Sequence, residues 1–207
     1  MAYNDFSLET LIEQFGLQTD EQGDYFALTP PVSISEGLRK HLHQYVPRAI
    51  AIGTEKARAE FIIVPILVEV IEQTTQAVSI FSGVEFNPDP ERGLRGVCDF
   101  LLSLSPEQLT VKAPVVAVVE AKNENIKQGI NPCIAEMVAA HVFNRAKKNP
   151  IETVFGAVTT GTAWLFLRLK ENIVYLDRTE YHISQAEKVV AILLAMLRQA
   201  SEVGGAR

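Results

Sequence analysis

The sequence predicts an α/β fold in which a central mixed β-sheet is flanked by helices. The first observation behind this prediction is an uncharged run at 114–119 that is rich in β-branched residues. Such a run is typical of a strand buried on both faces. The second is the order of patterns along the chain, in which helical spacing gives way to strands, a helix, three more strands and a closing helix. This alternation favours helices packed on a sheet.

Length and composition indicate one domain. The chain has 207 residues, of which 47% are hydrophobic and 21% are charged, as in ordinary globular proteins. We therefore expect a single domain over 1–207, with an N-terminal helix and loop at 1–30 and a core at 31–207 that ends in a helix. The net charge of −6 argues against a broad basic nucleic-acid surface. A local patch or a bound divalent cation can override that total.

The sequence also indicates where the protein resides. Its two cysteines, Cys98 and Cys133, provide no disulfide framework and are expected to be small buried side chains. The first twenty residues are polar and acidic, unlike a signal peptide. The longest apolar run, 61–68, is far shorter than the roughly 20 residues that cross a membrane. We expect a cytoplasmic protein without a membrane segment.

The N-terminal part is predicted to be mainly helical. Residues 7–15 carry apolar side chains at helical spacing, whereas 19–31 is polar and rich in turn residues and is predicted to be a loop. A capping-box pattern at residue 33 predicts a helix that runs to about residue 45 and is closed by Pro47.

A second helix is predicted over 55–73. It is apolar almost all round at 61–68, so it should be buried, and Pro65 predicts a kink or a restart. Glu60 begins the apolar section. Its carboxylate either forms a plain salt bridge with Arg58 or another cation, or points into a site.

A strand predicted at 95–103 contains an unexpected acid. Asp99 lies mid-strand, on the same face as Val97 and Leu101, with Cys98 and Phe100 on the other face. Aspartate is disfavoured in strands, so this position needs a reason. It is either a structural acid that binds backbone amides or part of a functional site.

The central strand ends in two charges. Glu120 and Lys122 are two residues apart and share a face of the strand, while Ala121 takes the other. Unpaired buried charge is expensive, so the pair either marks a solvated strand end or belongs to a metal site completed by other acids. We expect the proximity of the two groups to keep both ionised.

The C-terminal part continues the alternation. A helix is predicted over 131–146, with Pro132 at its first position. Strands follow at 153–159, 162–169 and 172–177, and a helix is predicted over 181–202.

Asp99 lies about twenty residues before Glu120-x-Lys122, which stands at the end of an apolar strand. A helical Glu comes before these residues and a helix follows them. This pattern resembles the PD-(D/E)XK nuclease superfamily. The resemblance covers roughly 55–169, although the motif is only three residues long. It implies a restriction endonuclease-like fold. It also implies that Asp99 and Glu120 bind one or two Mg²⁺ ions, for which Mn²⁺ substitutes, and that Glu60 adds a ligand.

The resemblance further implies an activity. Lys122 would orient or activate the attacking water and stabilise charge on the phosphate. The expected reaction is endonucleolytic hydrolysis of phosphodiester bonds in nucleic acid, with DNA as the first choice and a homodimer as the default assembly. The chemistry is consistent with these side chains, because Mg²⁺ prefers a few carboxylates plus waters and activates water for attack on a phosphate.

One part of the superfamily pattern is missing. Many members carry a Gln near the start of the helix after the Lys, often with an aromatic residue four positions later. Gln128 is the natural candidate, but Pro132 stands four residues on; if the pattern begins one turn later, Pro132 has replaced the Gln. Glu136 in this helix either takes part in the site or is a solvated helix residue, and we expect the latter. The alternative function is therefore a catalytically inactive nuclease-fold protein that acts as a binding or assembly module.

Overall fold

The structure, a computed structural model, describes residues 2–149 and 151–204. Its helices are α1 Leu8–Phe15, α2 Glu36–Ile52, α3 Glu55–Arg58, α4 Val64–Gln73, α5 Ile130–Ala146 and α6 Ala186–Gly204. Its strands are β1 Gln18–Asp20, β2 Ser79–Asp89, β3 Leu94–Ser103, β4 Val115–Ala121, β5 Thr153–Thr159, β6 Ala163–Lys170, β7 Ile173–Leu176 and β8 Tyr181–His182.

All eight strands belong to one mixed sheet. Seven follow the order β1-β7-β6-β5-β4-β3-β2, and β8 pairs with β6. The β1–β7 and β4–β5 pairs are parallel, and the other pairs are antiparallel. The prediction of an α/β protein with a mixed sheet flanked by helices is confirmed.

Helices cover both faces of the sheet, so there are two hydrophobic cores. One core, on the side of α2, α4 and α6, contains Phe155, Trp164 and Phe166. The other lies under α5 and α1 and contains Leu101 and Met137. Strand β4 is buried at each of its seven positions because both cores cover it. This confirms the interpretation of the uncharged run as the central strand.

The helix before the sheet is longer than predicted. α2 passes through Pro47 and ends at Ile52, where Gly53 takes a left-handed φ of 71°. Proline removes one helical hydrogen bond, leaving the carbonyl of the residue four positions earlier without its donor. That residue, His43, is exposed, so water can replace the donor. Ala49 meanwhile extends the buried face beyond the proline, which favours continuation.

The helical stretch at 55–73 has the predicted interruption at Pro65. α3 and α4 are joined by a π-helical turn, Ala59–Ile63, in which the Val64 N–H reaches the Ala59 carbonyl. A proline has no N–H for the preceding turn, and a wider turn is one way for a helix to accommodate it. Ile62 and Ile63 in this turn are fully buried.

The predicted loop at 19–31 overlaps a short strand, β1, that the sequence does not reveal. β1 pairs in parallel with β7, for instance Thr19 with Val174. Its three residues are polar and carry no apolar alternation, so only the open backbone edge of β7 accounts for their strand conformation.

Two glycines allow α5 to approach the sheet closely. A Cβ at Gly156 in β5 would lie 2.5 Å from Met137 Sδ and 2.7 Å from Cys133 Sγ. A Cβ at Gly129, just before α5, would lie 2.4 Å from Val158 Cγ1. Real Cβ atoms do not tolerate such distances, so both positions set how near α5 lies to β4 and β5.

We expect Gly156→Ala to lower the free energy of unfolding by roughly 1–3 kcal/mol, because the added methyl group must push α5 away from β5. Urea unfolding followed by circular dichroism measures this change. Gly37→Ala is the control, since an added Cβ there meets only Ser35 Oγ at 3.7 Å and alanine favours the helix. Equal stability of Gly156→Ala and the wild type would contradict the close-packing argument.

Candidate functional site

The structure brings Asp99, Glu120 and Lys122 together at the C-terminal end of β4. Glu120 is 4% exposed, and its Oε1 lies 2.5 Å from Lys122 Nζ. The charge of Asp99 acts on both of these side chains. The interpretation of Glu120 and Lys122 as a solvated strand end is therefore wrong, because the chain returns over this end and buries the glutamate.

Asp99 stands where β3 and β4 separate. Their pairing ends at Phe100 and Val119, and Asp99 Oδ2 then accepts the Ala121 N–H at 2.8 Å, in place of a backbone carbonyl. The alternation of β3 also breaks here, since Cys98 lies in the α5 core and Phe100 in the other. Asp99 thus has the backbone-binding role considered above. That bond uses Oδ2 and leaves Oδ1 for another partner.

Burial makes Glu120 hard to ionise. Burial first, and then the charge of Asp99, raise the pKa of Glu120 to about 7, against the lowering effect of its bond to Lys122. The bond to Lys122 therefore does not hold the pKa of Glu120 at its usual value, because desolvation and a second carboxylate outweigh one ion pair. A bound cation would favour the ionised form of Glu120.

Lys122 remains a cation. Burial lowers its pKa, but the bond to Glu120 and the charges of Glu120, Asp99 and Glu55 outweigh burial and raise the pKa above its usual value. A lysine in this state donates hydrogen bonds and cannot remove a proton from water at neutral pH.

Glu136 is the residue that sequence analysis misjudged. It is 1% exposed, lies within hydrogen-bonding reach of Glu120 and Cys98, and its Oε2 has no hydrogen-bond partner. Burial, and then the charges of Glu120 and Asp99, raise its pKa well above the usual range. The expectation of a solvated residue is wrong because α5 is buried on nearly all sides. The signal was present: Glu136 is the one charged residue in the run 130–144.

Glu60 lies outside this group. Its side chain is 56% exposed and its Oε1 pairs with Lys56 Nζ at 3.7 Å, so the salt-bridge interpretation describes it. The helical acid whose charge reaches Lys122 is instead Glu55, in the first turn of α3. Arg58, one turn later, donates to the Thr160 carbonyl at 3.0 Å and ties α3 to the end of β5.

The start of α5 also adjoins the site. α5 begins at Ile130, earlier than predicted, after a 3₁₀ turn at Ile126–Gly129. A Cβ at Gly129 would lie 3.3 Å from Glu120 Cγ and 3.1 Å from Lys122 Cγ. Gln128 is exposed in this turn, and Pro132 is buried in the first turn of the helix. Neither supplies a polar group to the acids in the described structure.

The acids fit a hydrated Mg²⁺ ion. Within residues 2–149 and 151–204, no three His, Cys, Asp or Glu side chains are grouped tightly enough to enclose a metal ion. Mg²⁺ does not require such a cage, because it commonly keeps several waters and binds one or two carboxylates. Asp99 and Glu120 provide two.

Comparisons of the sequence with protein-family models and with curated proteins found no match. In the part of the chain that the structure describes, none of the helices is long and apolar enough to cross a membrane. The acids and lysine at the end of β4 are therefore the basis for assigning a function.

We expect the metal-free protein to lose stability as the pH rises from 5 to 8. The pKa of Glu120 is about 7 in the folded protein, against 4.5 for an unburied glutamate. The folded state therefore keeps a proton that the unfolded state has released. This contribution is complete below pH 4.5 and is lost as the pH rises through 7, at a cost of about 3 kcal/mol.

Urea unfolding in the presence of a chelator, at pH 5 and at pH 8, measures this loss. Glu120→Gln is the control, because its amide does not titrate, and its stability should change less over the same interval. Parallel pH profiles for the two proteins would contradict the assignment of the raised pKa to Glu120.

Proposed function

We propose that the protein is a Mg²⁺-dependent nuclease with a restriction endonuclease-like fold, which hydrolyses phosphodiester bonds in DNA. The observation that carries the proposal is the convergence of Asp99, Glu120 and Lys122 at one end of β4, although Asp99 belongs to a different strand. A carboxylate beside a second, buried carboxyl group and one fixed cation is an arrangement suited to a divalent ion next to a phosphate.

The order of the elements supports the same fold. β2, β3 and β4 form an antiparallel run that carries both acids. α5 then connects β4 to its parallel neighbour β5. This is the strand, acid, strand, Glu-x-Lys and helix order on which the resemblance to the superfamily rests.

Each side chain has a chemical task in this proposal. Asp99 and Glu120 would hold the Mg²⁺, which when bound acidifies water and neutralises phosphate charge. Lys122 remains protonated, so it would donate a hydrogen bond to a phosphate oxygen and stabilise the charge that develops there. We therefore assign it an electrostatic role and not that of a general base.

The surroundings favour an anion at this position. α5 is 17 residues long, and the turn that precedes it lies against Glu120 and Lys122. A helix N-terminus carries a partial positive charge, which attracts phosphate. Lys127 is exposed in that turn, so positive charge is available locally although the whole chain has a net charge of −6.

We expect the wild type to bind Mn²⁺ and to cleave DNA in the presence of Mg²⁺, and Asp99→Asn to lose both. Asparagine keeps an oxygen for the Ala121 N–H, so this change removes charge while retaining the backbone bond. Lys122→Met should keep Mn²⁺ binding and slow cleavage by about 100-fold or more, as for loss of one electrostatic donor. Isothermal titration with Mn²⁺ and cleavage of plasmid and single-stranded DNA measure these effects.

Glu60→Gln is the matched control, because it removes an acid that the structure places in a surface ion pair. It should bind Mn²⁺ and cleave DNA as the wild type does. A folded wild-type protein that neither binds Mn²⁺ nor cleaves DNA would refute the nuclease proposal and would favour the catalytically inactive binding module.

A further inference from the structure

The buried carboxyl group of Glu136 has no task in the chemistry proposed above. It lies on α5, is almost fully buried, and keeps one oxygen without a hydrogen-bond partner. A buried polar atom without a partner destabilises a fold, and a carboxyl group more than most. If packing were the only purpose of this position, an apolar side chain of similar size would give a more stable fold.

Glu69 shows what a structural carboxylate looks like in this protein. It is also buried, but its Oε1 accepts from Ser35 N at 2.7 Å and from Gln73 Nε2 at 2.7 Å, and its Oε2 accepts from Ser35 Oγ at 2.6 Å. Both oxygens are used to fix the start of α2. Glu136 lacks this saturation.

The contacts of Glu136 lead to the site. Its carboxyl group is within hydrogen-bonding reach of Glu120 and of Cys98. Gly156 and Gly129 are the positions that let α5 come this near to β4 and β5. The close approach of the helix therefore brings a third carboxyl group against the back of Glu120.

We propose that Glu136 is a positioning residue, which holds the Glu120 carboxyl group from the α5 side while Lys122 holds it from the strand side. Glu120 then has contacts from two elements and presents itself to a cation in one orientation. This inference rests on the proposed function, since it assigns Glu136 a task at the same site. Partners of this kind commonly change metal affinity 10- to 100-fold when they are removed.

Glu136→Met tests the proposal, because methionine fits a buried helix and removes both the hydrogen bond and the partnerless oxygen. We expect Mn²⁺ affinity, measured by isothermal titration, to fall 10- to 100-fold. We also expect the Tm of the metal-free protein to stay constant or to rise by roughly 2–4 °C, because the buried unsatisfied group is gone. Glu136→Gln keeps a hydrogen-bond donor for Glu120 and should restore Mn²⁺ affinity close to that of the wild type.

Glu69→Met is the matched control for a buried acid with a structural role. It should lower the Tm and leave the Mn²⁺ affinity of the folded protein unchanged. Wild-type affinity in Glu136→Met, or a fall in its Tm as large as that of Glu69→Met, would overturn the positioning role. If the wild type binds Mn²⁺ and Asp99→Asn does not, either of these outcomes for Glu136→Met refutes only the role of Glu136. If the wild type itself binds no Mn²⁺, the proposed function is refuted.

Discussion

The arrangement at the end of β4 depends on two buried glutamates that lie near a third carboxyl group and one ammonium group. The charges of Asp99, Glu120 and Glu136 act on one another, and Lys122 is bonded to Glu120. Desolvation and mutual repulsion both oppose ionisation of the buried glutamates. Such an arrangement persists only because the surrounding fold is stable enough to hold it, which is the common condition of functional sites.

The fold produces this crowding through two local departures from regularity. β3 leaves β4 at Asp99, and the freed Ala121 amide turns to the aspartate side chain. On the other side, Gly156 lets α5 lie nearer to the sheet than any other residue would allow. The separation of the strands places the Asp99 carboxylate near Glu120, and the close approach of α5 adds the carboxyl group of Glu136. Without either feature β4 would end as an ordinary buried strand.

Two buried glutamates differ in how their carboxyl oxygens are partnered. Glu69 has every oxygen satisfied, so hydrogen bonds from Ser35 and Gln73 outweigh its burial and hold its pKa below the usual range. The pKa of Glu120 is raised, because burial and then the charge of Asp99 outweigh its bond to Lys122. The surroundings of Glu69 therefore favour its ionised form, whereas those of Glu120 oppose ionisation. The bond from Lys122 offsets part of this opposition, and Lys122 remains a hydrogen-bond donor.

The sequence by itself determined the α/β class, the central strand and the position of Glu120-x-Lys122 at its end, because apolar periodicity and charge spacing are local properties. It did not reveal the burial of Glu136, the exposure of Glu60 or the strand β1. Those outcomes depend on how near α5 lies to the sheet, on where a helix turns before Pro65 and on which strand edge is left open. Only the tertiary structure decided them, since burial and pairing arise from contacts between residues distant in the chain.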